Sequence, residues 1–146
     1  MNRLLFFLTF ITPIAVLTLI TSKGGDINRT FRGVALDSYD IVAYQTSGRA
    51  AKGEKDIRTE EDGTFNHFIS HRNMELFKEN PEAYLPAYGG YCAYGVAEDG
   101  DRNRVDFDVW DVIDGRLHLF ADQTKKTEFN YRSRDLIQQA DANWLQ

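Results

Sequence analysis

The sequence contains very little cysteine: Cys92 is the single one in 146 residues. One thiol excludes an internal disulfide, a metal site with two cysteine ligands and a Cys-x-x-Cys redox site within one chain. The hydrophobic core must therefore hold the fold without a covalent cross-link. Only pairing with a second chain would bring another thiol to Cys92.

Positive charge is also scarce. The chain carries 17 Lys and Arg against 22 Asp and Glu, a formal net charge of −5, and its basic residues form no cluster. Nucleic acids and anionic lipids bind basic surfaces. The composition therefore predicts no nucleic-acid partner, and contact with a membrane only through the N-terminal segment described below.

The motifs of the common enzyme families are missing. The sequence has no Gly-x-Ser-x-Gly, no His-Glu-x-x-His, no phosphate-binding loop and no dinucleotide fingerprint. Cys92 with a histidine and an acid could form a nucleophilic set, but any chain of this size supplies such residues. We therefore expect a protein that is not an enzyme, with a thiol-dependent enzyme using Cys92 as the catalytic alternative.

The long hydrophobic run of the chain lies at its N-terminus. Residues 4–20 carry no charge and follow Arg3, and the run is slightly shorter than the roughly 20 residues that span a bilayer. We expect residues 1–22 to be a signal peptide or a membrane anchor, residues 23–30 a linker, and residues 31–146 one domain. Either alternative places this domain outside the cytoplasm, in a periplasm, secreted or anchored.

Residue patterns predict the fold of the exported part. Ser70 and Asn80-Pro81 indicate the starts of two short helices that meet at a corner, and an apolar stripe over residues 136–144 predicts a C-terminal helix. We expect an α+β fold: a small, mostly antiparallel sheet with a two-helix corner motif and a C-terminal helix. The segments predicted as strands are 34–36, 41–46, 64–69, 105–109 and, joined by an Asp114-Gly115 turn, 110–113 and 117–120.

Residues 68–93 carry a motif with many fixed spacings: an aromatic strand end, then Ser, Asn and Phe, then Pro-Glu, Tyr, Pro and Tyr-Gly-Gly-Tyr-Cys-Ala. This motif resembles the YHS-domain family. Flanking stretches at residues 34–44, 114–117 and 140–144 resemble its exported, single-domain bacterial branch. The motif core that the resemblance identifies consists of Asn73, Phe77, Pro81, Tyr84, Tyr88, Gly89, Gly90 and Tyr91.

The chain departs from the family pattern at two positions. Ile41 stands where many members have a proline after the Tyr-Asp pair. Phe107 replaces the proline that often begins a short helix before the tryptophan, so the family's helix competes there with the strand that alternation predicts.

The resemblance also implies candidate metal ligands. Other branches of the family, such as the domains attached to copper-transporting ATPases, carry two cysteines that suggest metal handling. Here Cys92 with His67 and His71 would suit copper first, or zinc. His67 and His71 have a ligand-like spacing only on one helix, and Ser70 is predicted to separate them. We expect His118 on the polar face of the last strand.

These observations predict an exported, non-catalytic YHS-like binding module that handles a metal ion, copper first. The alternative is a structural or protein-interaction domain without a metal, in which Cys92 packs as a small buried hydrophobe. A thiol-dependent enzyme is the second alternative. The expected partner is therefore a metal ion or another protein.

Overall fold

The computed structural model describes residues 26–146. The predicted signal peptide or anchor, residues 1–22, lies outside these residues, as does the beginning of the predicted linker. No helix within residues 26–146 is long and apolar enough to cross a membrane.

The described chain has the predicted α+β fold. Residues 26–146 form five α-helices and two antiparallel two-stranded sheets. In chain order the elements are α1 (Ala43–Thr46), β1 (Glu54–Glu61), β2 (Thr64–Phe68), α2 (His71–Glu79), α3 (Ala93–Asp99), β3 (Asp106–Ile113), β4 (Arg116–Phe120), α4 (Gln123–Tyr131) and α5 (Ser133–Trp144). Of three single-turn 3-10 helices, Leu36–Ser38 precedes α1, and Pro81–Ala83 and Ala87–Gly90 lie between α2 and α3.

Both hairpins turn through an Asp-Gly pair. In the turn between β1 and β2, Asp62 and Gly63 have φ angles of 49° and 71°. In the turn between β3 and β4, Asp114 and Gly115 have φ angles of 50° and 76°. Two successive positive φ angles are those of a type I′ turn, whose twist matches that of the strands. The hairpin predicted at residues 110–120 is confirmed.

The strand predicted across Phe107 is also confirmed. Asp106 pairs with Phe120, and the regular ladder then runs from Trp110 to Ile113, with a bulge between Asp106 and Trp110. The family's alternative helix does not form there, and the predicted segments 105–109 and 110–113 are parts of the single strand β3.

Two strand predictions were wrong or incomplete. Residues 41–46 contain α1 instead of a strand, because the buried carboxylate of Asp40 accepts the first free N–H groups of that turn. Of residues 34–36, Val34 and Ala35 form isolated bridges, with Val34 beside Phe65 of β2, and Leu36 begins a 3-10 helix. No pattern in the sequence indicates β1, because its side chains are mostly charged and exposed and therefore lack an apolar alternation.

The helix corner forms as predicted, with a shorter second helix. The Ser70 hydroxyl accepts the N–H of Asn73 at 3.1 Å and begins α2. Pro81 prevents Asn80 from adopting helical geometry, and Asn80 has φ −151° and ψ 78°. The chain then continues as the 3-10 helix Pro81–Ala83 instead of an α-helix.

Two hydrophobic clusters form the core, and β4 lies between them. Phe120 belongs to the cluster formed with α3, α4 and α5, whereas Leu117 and Leu119 belong to the cluster formed with α1, β2 and α2. The stripe of α5 is confirmed, since Leu136 and Ala140 are fully buried in the first cluster. The four residues of β4 that follow Arg116 are therefore buried on both faces of the strand.

Candidate functional site

Asp40 is a fully buried carboxylate whose role the sequence did not reveal. Its Oδ1 accepts the N–H groups of Val42 at 2.8 Å and Ala43 at 3.2 Å. Its Oδ2 accepts the N–H of Ile69 and the side-chain amide of Asn73, both at 2.8 Å. Four N–H donors replace the water that this charge loses on burial. Asp40 thereby ties α1, the end of β2 and α2 together.

Two residues of the motif core project from α2 into the protein. Asn73 is 6% exposed and donates to Asp40, and Phe77, one helical turn later, is 5% exposed. The Phe77 ring lies 5.5 Å from the Phe68 ring, within the range of favourable aromatic contact. Both residues therefore make contacts inside the fold. Pro81 occupies the first turn of the following 3-10 helix, and Tyr84 packs half-buried at the edge of the second cluster.

The two glycines of the motif allow a close approach of the chain. Gly89 and Gly90 have φ angles of 60° and 80°, and a Cβ at Gly89 would overlap the carbonyl of Asp26. Asn28 donates its backbone N–H to the Gly89 carbonyl at 2.7 Å and its side-chain amide to the Gly90 carbonyl at 3.1 Å. The glycines therefore seat residues 26–28 against the domain. Tyr91, the next motif residue, is half-buried beside them.

Tyr88 connects this corner to α5. Its backbone is left-handed, with φ 54°, and its hydroxyl donates to the Asp141 carboxylate at 3.0 Å. Arg116 lies 3.4 Å from the same carboxylate and over the Tyr88 ring. Burial, followed by the charge of Asp141, raises the pKa of the Tyr88 phenol far above its usual range. The phenol is therefore a structural hydrogen-bond donor.

Cys92 packs in the core. It is 2% exposed, and its sulfur accepts the N–H of Ala121 at 3.3 Å. Its own N–H donates to the carbonyl of Asn103 at 3.2 Å, and it immediately precedes α3. Leu119 of β4 lies beside it in a parallel bridge. The thiol is therefore enclosed by the backbone of two loops and a strand.

The structure separates the two histidines that were candidate ligands. His67 is buried in β2, with Nδ1 3.2 Å from the Ser38 hydroxyl, and burial followed by the charge of Arg58 lowers its pKa. His71 is exposed at the first residue of α2. Within residues 26–146, no three His, Cys, Asp or Glu side chains lie together as a metal site. Cys92, His67 and His71 thus do not form one three-residue group.

The expectation for His118 was wrong. His118 is 1% exposed and lies between the rings of Tyr88 and Phe129, with centroids 5.8 and 5.7 Å away. A carbonyl only accepts, so Nδ1 carries the proton and donates to the Arg116 carbonyl at 2.9 Å. Nε2 is buried without a hydrogen-bond partner among the described residues. Burial lowers the pKa of His118, because the charged ring would lose its hydration.

Two open cavities lie on the surface of residues 26–146. One, of about 710 Å³, is bordered by Arg29, Arg32 and Tyr91, together with carboxylates of the N-terminal stretch and of the first hairpin turn. The other, of about 650 Å³, runs between β1 and α2. The sequence predicted neither, since each joins segments that are distant along the chain.

Comparison of the chain with protein-family models, with curated proteins and with solved structures gives no match. The YHS assignment rests on the sequence motif alone.

Proposed function

We propose that this protein is an exported, non-catalytic binding module of the YHS type, in which the motif forms the folding core and the binding role belongs to the surface. The observation that carries the proposal is that four residues of the motif segment are buried by contacts inside the fold. Asn73 serves Asp40, Phe77 packs on Phe68, Tyr88 donates to Asp141, and Cys92 is enclosed.

Catalysis by Cys92 would need a different environment. A nucleophilic thiol needs access for its substrate and a base within hydrogen-bond reach. The hydrogen bond that the structure gives to the Cys92 sulfur comes from the backbone N–H of Ala121, which is not a base. Its side chain is 2% exposed. Both observations support a packing role for this thiol.

Binding of a metal ion, copper first, is the second candidate function. The observation that favours it is that the Cys92 sulfur accepts one N–H and retains further lone pairs. Thiolate sulfur is the donor that Cu(I) prefers. His67 or His71 would supply a nitrogen ligand only after a rearrangement, because one is held by Ser38 and the other is exposed on α2.

Alkylation of the thiol tests the proposal. Iodoacetamide should modify Cys92 in the folded chain at least about 100-fold more slowly than in the urea-unfolded chain, because reaction requires local opening. Reaction at the unfolded rate would refute the non-catalytic packing role. Cys92→Ala should remain folded, whereas Cys92→Ser should lose about 1–3 kcal/mol of stability, because it buries a hydroxyl.

Titration with Cu(I) and Zn(II) distinguishes a binding module with a packed Cys92 from a metal-binding protein. The proposal predicts that the folded chain and Cys92→Ala take up equal amounts of either ion. Uptake of one Cu(I) equivalent by the native chain, lost in a folded Cys92→Ala, would instead establish the metal-binding role. His71→Ala is the matched control for weak binding by exposed imidazole.

A further inference from the structure

β1 is an edge strand with an unoccupied side. Among residues 26–146 it pairs only with β2. The far side of β2 is already covered, since Phe65 donates its N–H to the Gly33 carbonyl and accepts the N–H of Ala35. The hairpin therefore has one covered edge and one edge, along β1, that no described segment covers.

The pairing register identifies the backbone groups that face outward. Phe65 bonds away from β1, to Gly33 and Ala35, so its partner Glu60 cannot form the inward pair of hydrogen bonds with it. In an antiparallel ladder such pairs alternate with hydrogen-bonded ones. The N–H and C=O of Glu60, and of Arg58 two residues earlier, consequently point to the outer edge of β1.

The cavity between β1 and α2 runs along this same edge. Arg58, Thr59, Glu60 and Glu61 all contribute to its lining. Alternate residues of a strand point to opposite faces, so four consecutive residues line one cavity only when it follows the edge of the backbone. A ligand in this groove would lie beside the outward N–H and C=O groups of Arg58 and Glu60.

The opposite wall of the groove supplies apolar contacts. Met74 and Phe77 of α2 and Pro81 of the helix corner form that wall. Thr59 also contributes to the lining, but its hydroxyl is fully buried and has no hydrogen-bond partner among the described residues. A volume of about 650 Å³ accommodates several residues of an extended chain with one large apolar side chain toward Met74.

The charges of the groove are balanced. Lys78 and Glu61 contribute one cationic and one anionic group, whereas the guanidinium of Arg58 lies over the Phe65 ring, 5.0 Å from its centroid. This arrangement gives no net attraction to a strongly charged ligand. The first half of β1, residues 54–56, is exposed and charged, and a bulge follows Glu54. The bulge interrupts the regular ladder before Arg58, so the regular outer edge that a partner strand can pair with consists of residues 58–61.

We propose that this groove binds an extended, uncharged polypeptide segment of a partner protein, which adds a strand to the outer edge of β1 and places an apolar side chain against Met74, Phe77 and Pro81. Only a polypeptide backbone offers alternating N–H and C=O groups that match those of Arg58 and Glu60. The inference rests on the proposed function, because it gives the binding module its site and its class of partner.

Amide hydrogen exchange of the full chain tests the groove directly. The probe is the acetylated peptide Thr-Val-Thr-Leu-Thr-Val-Thr, at about 1 mM to detect weak binding. It should slow exchange at Arg58 and Glu60 about tenfold or more, and leave Thr59 and Glu61 unchanged because these already bond to β2. The same peptide with every backbone nitrogen methylated should have no effect. Unchanged exchange at Arg58 and Glu60 with the first peptide overturns the proposal.

A proline on the outer edge provides the matching variant. Glu60→Pro removes one outward N–H and leaves the hydrogen bonds between β1 and β2 intact. It should weaken peptide binding about tenfold, the effect of one lost hydrogen bond. Glu60→Ala, the matched control, should bind like the native chain. If Glu60→Pro fails to fold, the exchange data on the native chain still decide whether the groove binds the peptide.

Hydrogen exchange measured without the peptide would reveal two other possible occupants of the groove. Protection of Arg58 and Glu60 that grows with protein concentration would identify a second copy of the chain, and concentration-independent protection would identify a segment of the same chain. Either outcome overturns the proposal of a partner peptide. Slow alkylation of Cys92 together with absent peptide binding refutes the groove alone. Rapid alkylation refutes the proposed function and leaves the exchange result at the groove standing.

Discussion

Replacing Asp40 removes the buried carboxylate that connects α1, the end of β2 and α2. Asp40→Ala would leave the N–H groups of Val42 and Ile69 and the side-chain amide of Asn73 buried without an acceptor. Each such buried donor costs about 1–3 kcal/mol, against a smaller gain from no longer burying the carboxylate. We expect a loss of about 3–5 kcal/mol, which is a large fraction of the 5–15 kcal/mol that typically stabilises a domain.

The isosteric variant separates charge from shape. Asp40→Asn retains one acceptor oxygen, but its amide NH2 would face two donors, the Ile69 N–H and the Asn73 amide. We expect a loss of about 2–4 kcal/mol from these two mismatched positions. Asp37→Asn is the matched control. Asp37 pairs with Lys52 at 3.0 Å, but its side chain is 57% exposed, and exposed pairs of this kind contribute little.

Equilibrium unfolding in urea, followed by tryptophan fluorescence, measures these differences. Trp110 packs on Tyr44 in the cluster next to Asp40, and Trp144 packs on Tyr88 in the other cluster. A single transition in the fluorescence of both tryptophans would show that the two clusters unfold together. If Asp40→Ala lies within about 1 kcal/mol of the native chain, the four hydrogen bonds do not stabilise the fold as argued.

Three further predictions concern the first cluster and the motif. Because the fold favours the neutral form of His118, the contribution of this group to stability should be complete above pH 6.5 and fall below it, by at most about 1.4 kcal/mol per pH unit. The urea midpoint of His118→Phe should vary less with pH than that of the native chain, and an equal variation would contradict this prediction. Gly89→Ala should destabilise more than Gly48→Ala, because both glycines have positive φ but only Gly89 lies against another segment; equal losses in thermal unfolding would show that this close approach is unimportant. Tyr88→Phe should cost about 1 kcal/mol in urea for its hydrogen bond to Asp141, whereas the exposed Tyr131→Phe should cost nothing measurable, and equal values would remove the role given to that bond.

Local signals in the sequence identified the elements that depend on neighbouring residues. Ser70 begins α2 by accepting an N–H three residues away, and Asp114-Gly115 makes the turn between β3 and β4. Both effects act within a few bonds, so the residue types alone predict them. The apolar stripe of α5 was readable for the same reason, because its spacing follows the helix itself.

The candidate site was much less readable. Asp40 meets Ile69 and Asn73 across 29 and 33 residues of sequence, and no local pattern reports a partner at that separation. The motif did mark Asn73 through the YHS resemblance, but the resemblance did not pair it with Asp40. The groove between β1 and α2 was invisible because β1 is charged along most of its length.

The sequence by itself determined the α+β class, the Ser70 cap, the Asp114-Gly115 turn and the single thiol, because composition and short-range hydrogen bonding do not depend on the rest of the fold. The tertiary structure decided which faces are buried. Alternation along β4 suggested a solvent-facing His118, yet packing of clusters on both sides of that strand places the imidazole in the core. Burial is a property of the assembled layers, and a single strand does not encode how many layers cover it.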